Sequence, residues 1–244
     1  MLGFTDEQRE KLNKLKEIIS ELGSLAVGFS GGVDSTLLVA VAHEVLGDRV
    51  IAVTGVDASV PEREVNEAKA FCEARGIRHI LCTVDPLKEE GYRNNSPDRC
   101  YFCKHGPGLK AAAELSVKSP LREAGLYKTD IRLISKEMGL PTWSKPAYAC
   151  LASRFVYGEE ITEKKLHMID HAEQFLIERG FLEERVRIHG DIARIEVPPA
   201  DIPRLASDEI REAVHEEFKK LGFLFVTLDL KGYRTGSMNA TLKI

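Results

Sequence analysis

A glycine-rich segment between two apolar stretches constrains the fold of this chain more than any other feature. The segment is SGGVDS at residues 30–35; an apolar run at 25–29 precedes it, and residues 36–46 after it are apolar almost all round. This order is typical of a strand and a helix that pack in one layered sheet. We therefore expect a buried strand, a loop and a buried helix here.

The rest of the N-terminal part continues the alternation of strands and helices. Thr5 and Gln8 form a predicted capping box at the start of the first helix. The other predicted elements are strands at 50–53 and 77–84 and helices at 61–75 and 128–138. Their β-α-β-α-β order predicts an α/β fold with a doubly wound parallel sheet and right-handed crossovers.

The pattern changes beyond about residue 160. The predicted elements there are a helix at 162–179, strands at 184–189 and 192–197, a helix ending near 221 and a strand at 223–230. The short turn between the first two strands fits only an antiparallel hairpin. The sequence thus predicts a larger domain at 1–158 and a smaller C-terminal α+β domain at 159–244.

One segment does not fit the parallel sheet. Between Cys103 and Lys128 the sequence contains no convincing buried strand. A parallel sheet needs a further strand there, with a crossover of about a dozen residues or more. We expect that a stretch near His105 and Gly106 is missing from the sequence and that the numbering closes over it.

Composition and charge exclude several classes of protein. The chain has 244 residues, with 43% apolar and 30% charged, a net charge of −4 and a pI near 6.0. This balance argues against a dominant nucleic-acid surface and favours small-molecule partners. The N-terminus lacks the apolar core of a signal peptide, and the apolar stretch at 37–45 is too short to span a bilayer. We expect a cytoplasmic protein with no membrane partner, whose five cysteines form no disulfide framework.

The SGGVDS segment has the chemistry of a pyrophosphate site. Glycines let backbone N–H groups approach phosphate closely, serine hydroxyls donate hydrogen bonds, and Asp34 suits a bridging Mg²⁺. The predicted ATP-binding residues are Ser30, Gly31, Gly32, Val33, Asp34 and Ser35. A Walker lysine is absent from the segment, which argues against transfer of the γ-phosphate. The segment resembles the PP-loop of ATP-pyrophosphatases, which cut ATP between its α and β phosphates; a plain glycine turn with a serine cap is the alternative.

Three cysteines form a candidate metal site. Cys100 and Cys103 are spaced C-x-x-C, and Cys150 follows the helix at 128–138. Three thiolates suit an iron–sulfur cluster, or zinc with His105 as a fourth ligand. A redox pair or three buried thiols are the other readings. The remaining two cysteines, Cys72 and Cys82, we expect in the core.

The motifs together resemble one family, the pyridinium-3,5-biscarboxylic acid mononucleotide sulfurtransferases (the LarE family). The resemblance rests on SGGVDST, NNSPDRCYFCKH, LYKTDIRLISKEMGLPTW, ACLASRF, RVRIHGDIARIEV and LDLKGYRTGSMN. It implies that the PP-loop domain is of the adenine nucleotide alpha-hydrolase-like type. It also implies that ATP adenylates a substrate carboxylate and that sulfur then displaces AMP, giving the thiocarboxylate of a nickel-pincer cofactor.

The cysteines indicate a subgroup of that family. Some members carry a single cysteine, matching Cys150, and give up its sulfur. This chain also has Cys100 and Cys103, so it resembles members in which a [4Fe-4S] cluster holds an extra sulfide. The resemblance thus implies ATP, Mg²⁺ and a [4Fe-4S] cluster as cofactors, Cys150 and Asp34 as catalytic residues, and a homo-oligomer, a trimer or hexamer. It leaves the sulfide source open.

Arginines of the C-terminal part are the candidate substrate ligands. Arg185, Arg187 and His189 alternate with apolar residues, so they share one face of a predicted strand. The predicted substrate-binding residues are Arg154, Arg185, Arg187 and Arg234. Guanidinium groups suit a phosphorylated dicarboxylate because they donate paired hydrogen bonds. A solvated hairpin face with cross-strand ion pairs is the alternative.

Two other functions share parts of this pattern. A PP-loop tRNA thiolation enzyme also combines this loop with cysteines, but it would need a basic surface, which the net charge does not favour. A non-enzymatic nucleotide- or metal-binding regulator would not need the intact loop with Asp34 and both serines. We therefore favour an ATP-dependent sulfurtransferase.

Overall fold

The computed structural model describes residues 3, 5–105, 117–146, 149–234 and 236–238, without the side chains of 103–105. The helices are α1 (Asp6–Leu22), α2 (Val33–Leu46), α3 (Glu62–Ala74), α4 (Glu90–Arg93), α5 (Arg99–His105), α6 (Pro120–Glu123), α7 (Lys128–Glu137), α8 (Glu163–Glu178), α9 (Ile202–Leu205) and α10 (Asp208–Leu221). The strands are β1 (Leu25–Gly28), β2 (Val50–Val56), β3 (Arg78–Thr83), β4 (Arg185–His189), β5 (Ile192–Glu196) and β6 (Phe225–Leu228).

The chain packs into two compact units. The first comprises Met1–Val84 and Ala112–Tyr148, and the second comprises Asp85–Ala111 and Ala149–Ile244. The units therefore divide the chain at other positions than the predicted domains 1–158 and 159–244.

The reason for this division is that the segment after β3 pairs with later residues. The Asn95 carbonyl accepts a hydrogen bond from the Gly158 N–H at 3.0 Å, and the Asn95 side-chain amide donates one to the Val156 carbonyl at 2.6 Å. The Ile161 N–H likewise donates to the Arg93 carbonyl at 2.8 Å. These bonds join residues 85–105 to the C-terminal part.

The first unit contains the predicted α/β core. Its strands lie in the order β1-β2-β3 and all pair in parallel, with Leu25 opposite Val50 and Ile51 opposite Arg78. Helices α2 and α3 make the connections, as the alternation predicts. The apolar helix α2 is buried along most of its length, and α1 begins with the predicted capping box of Thr5 and Gln8. The α/β fold class is confirmed.

Strand β3 forms where it is predicted but is more exposed than the expectation for Cys82 requires. In the described part of the sheet it pairs only with β2, and it exposes Ile80, Leu81 and Cys82. The prediction that Cys82 lies in the core is therefore wrong, whereas Cys72 on α3 is buried as expected. The stretch in which we expect missing residues falls at 106–116, outside the described residues.

The second unit is built on a mixed sheet. Strands β4 and β5 form the predicted antiparallel hairpin, with Arg185 opposite Glu196 and His189 opposite Ile192, and β6 pairs with β5 in parallel. Helices α8 and α10 contribute Phe175 and Phe218, whose rings meet edge to face at 6.4 Å. No helix in the described ranges is long and apolar enough to cross a membrane.

Candidate functional site

The glycine-rich segment is a closed loop at the carboxyl end of β1. Ser30 and Ser35 hold it together: the Ser35 hydroxyl lies 3.2 Å from the Ser30 hydroxyl and donates to the Gly32 carbonyl at 3.2 Å. Gly32 is the N-cap of α2, so the helix begins three residues earlier than the pattern predicts, and the segment's last residues form its first turn. N–H groups at a helix start are suited to bind an anion.

Gly31 allows the sharp turn into this helix. Its φ is +67°, and a Cβ there would lie 3.6 Å from the Cβ of Ala68 on α3. A side chain is therefore strained by the backbone rather than excluded by space.

We expect Gly31→Ala to lower the free energy of unfolding by about 1–2 kcal/mol, because alanine disfavours a positive φ. Denaturant titration measures this loss. The matched control is Gly28→Ala, since Gly28 does not have a positive φ and has no atom within 4 Å of a built Cβ. Equal losses in the two variants would show that the φ of Gly31 is not the cause.

Two linked hydrogen bonds fix the residue that precedes the loop. Thr54 on β2 donates its hydroxyl to the Phe29 carbonyl at 2.5 Å, and His79 Nε2 lies 2.8 Å from the same hydroxyl oxygen. Since the hydroxyl hydrogen is used on Phe29, His79 Nε2 must be the donor to Thr54. Burial and the nearby Lys69 charge hold the pKa of His79 below its ordinary value. Strands β2 and β3 thus hold Phe29, the residue just before the loop, in place.

Asp34 lies in the first turn of α2 with its two oxygens in different settings. Its Oδ2 accepts a hydrogen bond from Lys128 Nζ, at the start of α7. Its Oδ1 is buried and has no hydrogen-bond partner within the described ranges. A carboxylate oxygen left without a donor beside an anion-binding loop fits a Mg²⁺ ligand.

A second lysine reaches the same loop from the segment after α7. Lys145 Nζ donates to the Gly31 carbonyl at 3.3 Å and forms ion pairs with Glu64 and Glu67 on α3 at 2.7 and 2.6 Å. Sequence reasoning missed both lysines because Lys128 and Lys145 lie 94 and 114 residues from their loop partners. Lys128 occurs in LYKTDIRLISKEMGLPTW, one of the segments that carry the resemblance, whereas Lys145 lies between that segment and ACLASRF and had no such signal.

Two cavities flank the loop. The smaller, of about 260 Å³, lies at the carboxyl ends of β1 and β2 and is lined by Ser30, Thr54 and Glu64 among others. The larger, of about 690 Å³, is lined by Gly31, Glu67 and Lys145, with Phe71 of α3. Ligands of open parallel sheets bind at this edge. The first unit therefore has cavities beside the loop at the edge where such ligands bind, and the nucleotide site stays a prediction.

The described thiols of the candidate cluster site lie in the second unit. Cys100, on α5, is exposed, and so is Cys150, which caps a short 3₁₀ turn at Leu151–Arg154. The Cys150 sulfur accepts the Ala152 N–H at 3.3 Å and lies 3.8 Å from the Tyr92 hydroxyl.

The third thiol cannot be placed in the same way. Cys103 follows Cys100 by three residues on α5. Its side chain, like that of His105, lies outside the described residues. Among the side chains that are described, no group of three or more His, Cys, Asp or Glu is arranged to hold a metal ion. The three-cysteine site stays a prediction.

Arg154 is fully buried against α8. Its Nε and Nη2 donate to the two carboxylate oxygens of Glu173 at 2.9 and 2.8 Å, and its Nη1 donates to the Ala149 carbonyl at 2.7 Å. Both side chains of this ion pair have no exposed surface. The pair thus ties the turn that carries Cys150 to the core of the second unit.

The predicted arginine face of the hairpin surrounds one buried carboxylate. Arg187 donates to Glu196 Oε2 at 2.9 Å, Arg194 donates to Glu196 Oε1 at 2.9 Å, and Glu196 has no exposed surface. Arg187 also donates to the Ser153 carbonyl at 3.2 Å, which joins the hairpin to the turn after Cys150. Arg187 therefore connects the hairpin to the turn that carries Cys150.

The remaining predicted arginines border this arrangement. Arg185 is buried, and its guanidinium carbon lies 5.2 Å from the centre of the Tyr233 ring. Arg234 is partly exposed and lies 3.6 Å from Asp229, which is also 3.7 Å from Arg194. Three arginines here, Arg187, Arg194 and Arg234, face two carboxylates, Glu196 and Asp229. One positive charge is left over, as an anion site requires.

Comparisons with known proteins agree with this geometry. A family profile described as NAD synthase matches residues 8–99. An uncharacterized protein of Synechocystis sp. is 38% identical over 95% of this chain and 98% of its own length; that alignment spans 262 positions, so it includes positions without a counterpart here. The pyridinium-3,5-bisthiocarboxylic acid mononucleotide synthase of Lactiplantibacillus plantarum is 36% identical over 92% of each chain. An uncharacterized protein of Methanocaldococcus jannaschii is 26% identical over 93% of this chain and 98% of its own length.

Proposed function

Because this chain belongs to the pyridinium-3,5-bisthiocarboxylic acid mononucleotide synthase family, we propose that it makes a thiocarboxylate of that mononucleotide for the nickel-pincer cofactor. The chain is an ATP-dependent sulfurtransferase with a PP-loop. The observation that carries the proposal is the intact loop, in which both serines close the turn and one oxygen of Asp34 is left open.

The first step is adenylation of the substrate. A carboxylate oxygen of pyridinium-3,5-biscarboxylic acid mononucleotide attacks the α-phosphorus of ATP, the bond to the β-phosphate oxygen breaks, and pyrophosphate leaves with the negative charge. Residues 30–35 hold the departing phosphates through backbone N–H and serine hydroxyl groups. Asp34 is the proposed ligand of Mg²⁺, which would neutralise the charge that develops on them.

The second step is delivery of sulfur to the activated carboxyl carbon. Sulfide attacks this carbon, AMP leaves, and the thiocarboxylate remains. We propose that Cys100, Cys103 and Cys150 would hold a [4Fe-4S] cluster, which, bound through three thiolates, would supply an iron with an open position for sulfide. The Ala152 N–H donates to the Cys150 sulfur at 3.3 Å and so holds this sulfur in a fixed position on the turn.

The arginines of the second unit are the proposed substrate ligands. Arg185 and Arg234 are proposed to bind the phosphate and free carboxylate directly, because three arginines here face only two carboxylates, Glu196 and Asp229. The guanidinium of Arg187 is occupied by Glu196 and the Ser153 carbonyl, so Arg187 is proposed to hold this cluster of charges in place. The guanidinium of Arg154 is occupied by Glu173 and the Ala149 carbonyl. We therefore propose that Arg154 acts on the substrate indirectly, by fixing the turn that carries Cys150.

The test is the iron and acid-labile sulfide content of protein purified without oxygen. We expect about four iron atoms per chain in the parent, with a large loss in Cys100→Ala, Cys103→Ala and Cys150→Ala. The matched control is Cys82→Ala, an exposed thiol of the first unit, which should keep its iron. A parent without iron after attempted reconstitution would contradict the cluster and leave zinc or a Cys150 that surrenders its own sulfur.

A further inference from the structure

The Lys145 ammonium is the best-connected cation beside the loop. It has three N–H donors, and the described residues place at least three acceptors around it: Glu64 Oε2, Glu67 Oε2 and the Gly31 carbonyl. A phosphate oxygen can therefore bind this lysine only by displacing one of them. Burial would lower the pKa of Lys145, but hydrogen bonds to Glu64 and Glu67 raise it above its ordinary value. The lysine is thus positively charged at neutral pH.

The two carboxylates differ in how easily they can leave. Glu64 has a side chain only 9% exposed, and its other oxygen, 4.0 Å from Arg63 Nε, is buried. Removing Lys145 from it would leave a desolvated charge without its close partner, which is costly. The Glu67 side chain is 57% exposed, so water can replace its partner. Glu67 is therefore the exchangeable ligand.

The larger cavity contains further groups that need an acceptor. Thr36 on α2 and Thr142 after α7 both line it, together with Glu67 and Lys145. The hydroxyl oxygens of both threonines are buried and have no hydrogen-bond partner in the part of the chain that the structure describes. Buried hydroxyls are rarely left in this state unless a ligand or water completes them. An oxygen-rich anion fits two hydroxyl donors and a lysine.

We propose that Lys145 is the phosphate-binding lysine of this chain. ATP binding exchanges Glu67 for an oxygen of the β- or γ-phosphate in the 690 Å³ cavity, while Glu64 keeps the ammonium in place. The lysine thereby takes the charge-neutralising role for which the loop itself has no residue. This inference rests on the proposed function, in which ATP occupies the loop.

The experiment is calorimetric titration of the full chain with Mg-ATP and with Mg-pyrophosphate. We expect Lys145→Gln to weaken binding of both by about 10- to 100-fold, the range of a lost hydrogen bond to a charged group. Glu67→Gln should strengthen binding several-fold because the competing carboxylate is gone. The matched control is Glu73→Gln, an exposed glutamate on the same helix, which should leave binding unchanged.

The double variant Lys145→Gln/Glu67→Gln separates exchange from general charge repulsion. If Glu67 competes for Lys145, the gain from Glu67→Gln disappears when the lysine is absent. A gain that persists in the double variant, or a Lys145→Gln protein that is folded and binds like the parent, would overturn the exchange. A folded parent that binds neither ligand would instead overturn the proposed function.

Discussion

Asp34→Asn is expected to lower the rate of substrate-dependent pyrophosphate release from ATP by about 1,000-fold, as for loss of a group that stabilises developing charge. The amide has the shape of the carboxylate but no charge. It therefore gives up both the attraction to Mg²⁺ and the ion pair with Lys128. The rate should be measured across a range of Mg²⁺ concentrations, and the variant should need more Mg²⁺ than the parent to reach its own maximum.

The matched control for this variant is Asp48→Asn, in the short turn after the other end of α2. It makes the same chemical change away from the loop and should keep the parental rate. If Asp34→Asn kept the parental rate at low Mg²⁺, Asp34 would be a structural partner of Lys128 and not a metal ligand.

Glu173→Gln is expected to lower the free energy of unfolding by about 3–5 kcal/mol. The change leaves the Arg154 guanidinium buried without a compensating charge, because Glu173 supplies both oxygens of the pair and neither side chain has exposed surface. It also weakens the acceptor for the Val186 N–H at 2.9 Å. Denaturant titration at neutral pH measures the loss.

The same pair makes stability depend on pH. Burial alone would raise the pKa of Glu173, but the Arg154 charge and the hydrogen bonds from Arg154 and Val186 hold it below its ordinary value of 4.5. A carboxyl group with a lowered folded-state pKa contributes stability above its unfolded-state pKa and loses it as the pH falls through the folded-state value. The parent should therefore lose stability as the pH falls below about 4.5, and Glu173→Gln should lose less over the same range.

The control is Glu178→Gln, on the same helix α8 but exposed, where a change of under about 0.5 kcal/mol is expected. Equal losses in the two variants would contradict the buried-pair account. The large loss matters for function because the Arg154 pair holds the turn that carries Cys150. A variant that stays folded should therefore also lose sulfur transfer more than pyrophosphate release.

The sequence by itself determined the features that depend on neighbouring residues. The order of strands and helices follows from local periodicity, and the SGGVDS loop follows from glycine and serine chemistry within six residues. The capping box at Thr5 and the hairpin of β4 and β5 were predicted for the same reason, since each depends on contacts across a few positions. Local signals of this kind survive in a single sequence.

Only the tertiary structure decided which distant charges meet. Lys128 and Lys145 contact the loop although they lie 94 and 114 residues from their partners in the sequence. The hairpin arginines surround Glu196 instead of facing solvent. Packing also decides that Cys82 is exposed and that residues 85–105 bind to the C-terminal part through hydrogen bonds. Periodicity gives the face on which a side chain lies, but its partner and its burial depend on elements far away in sequence.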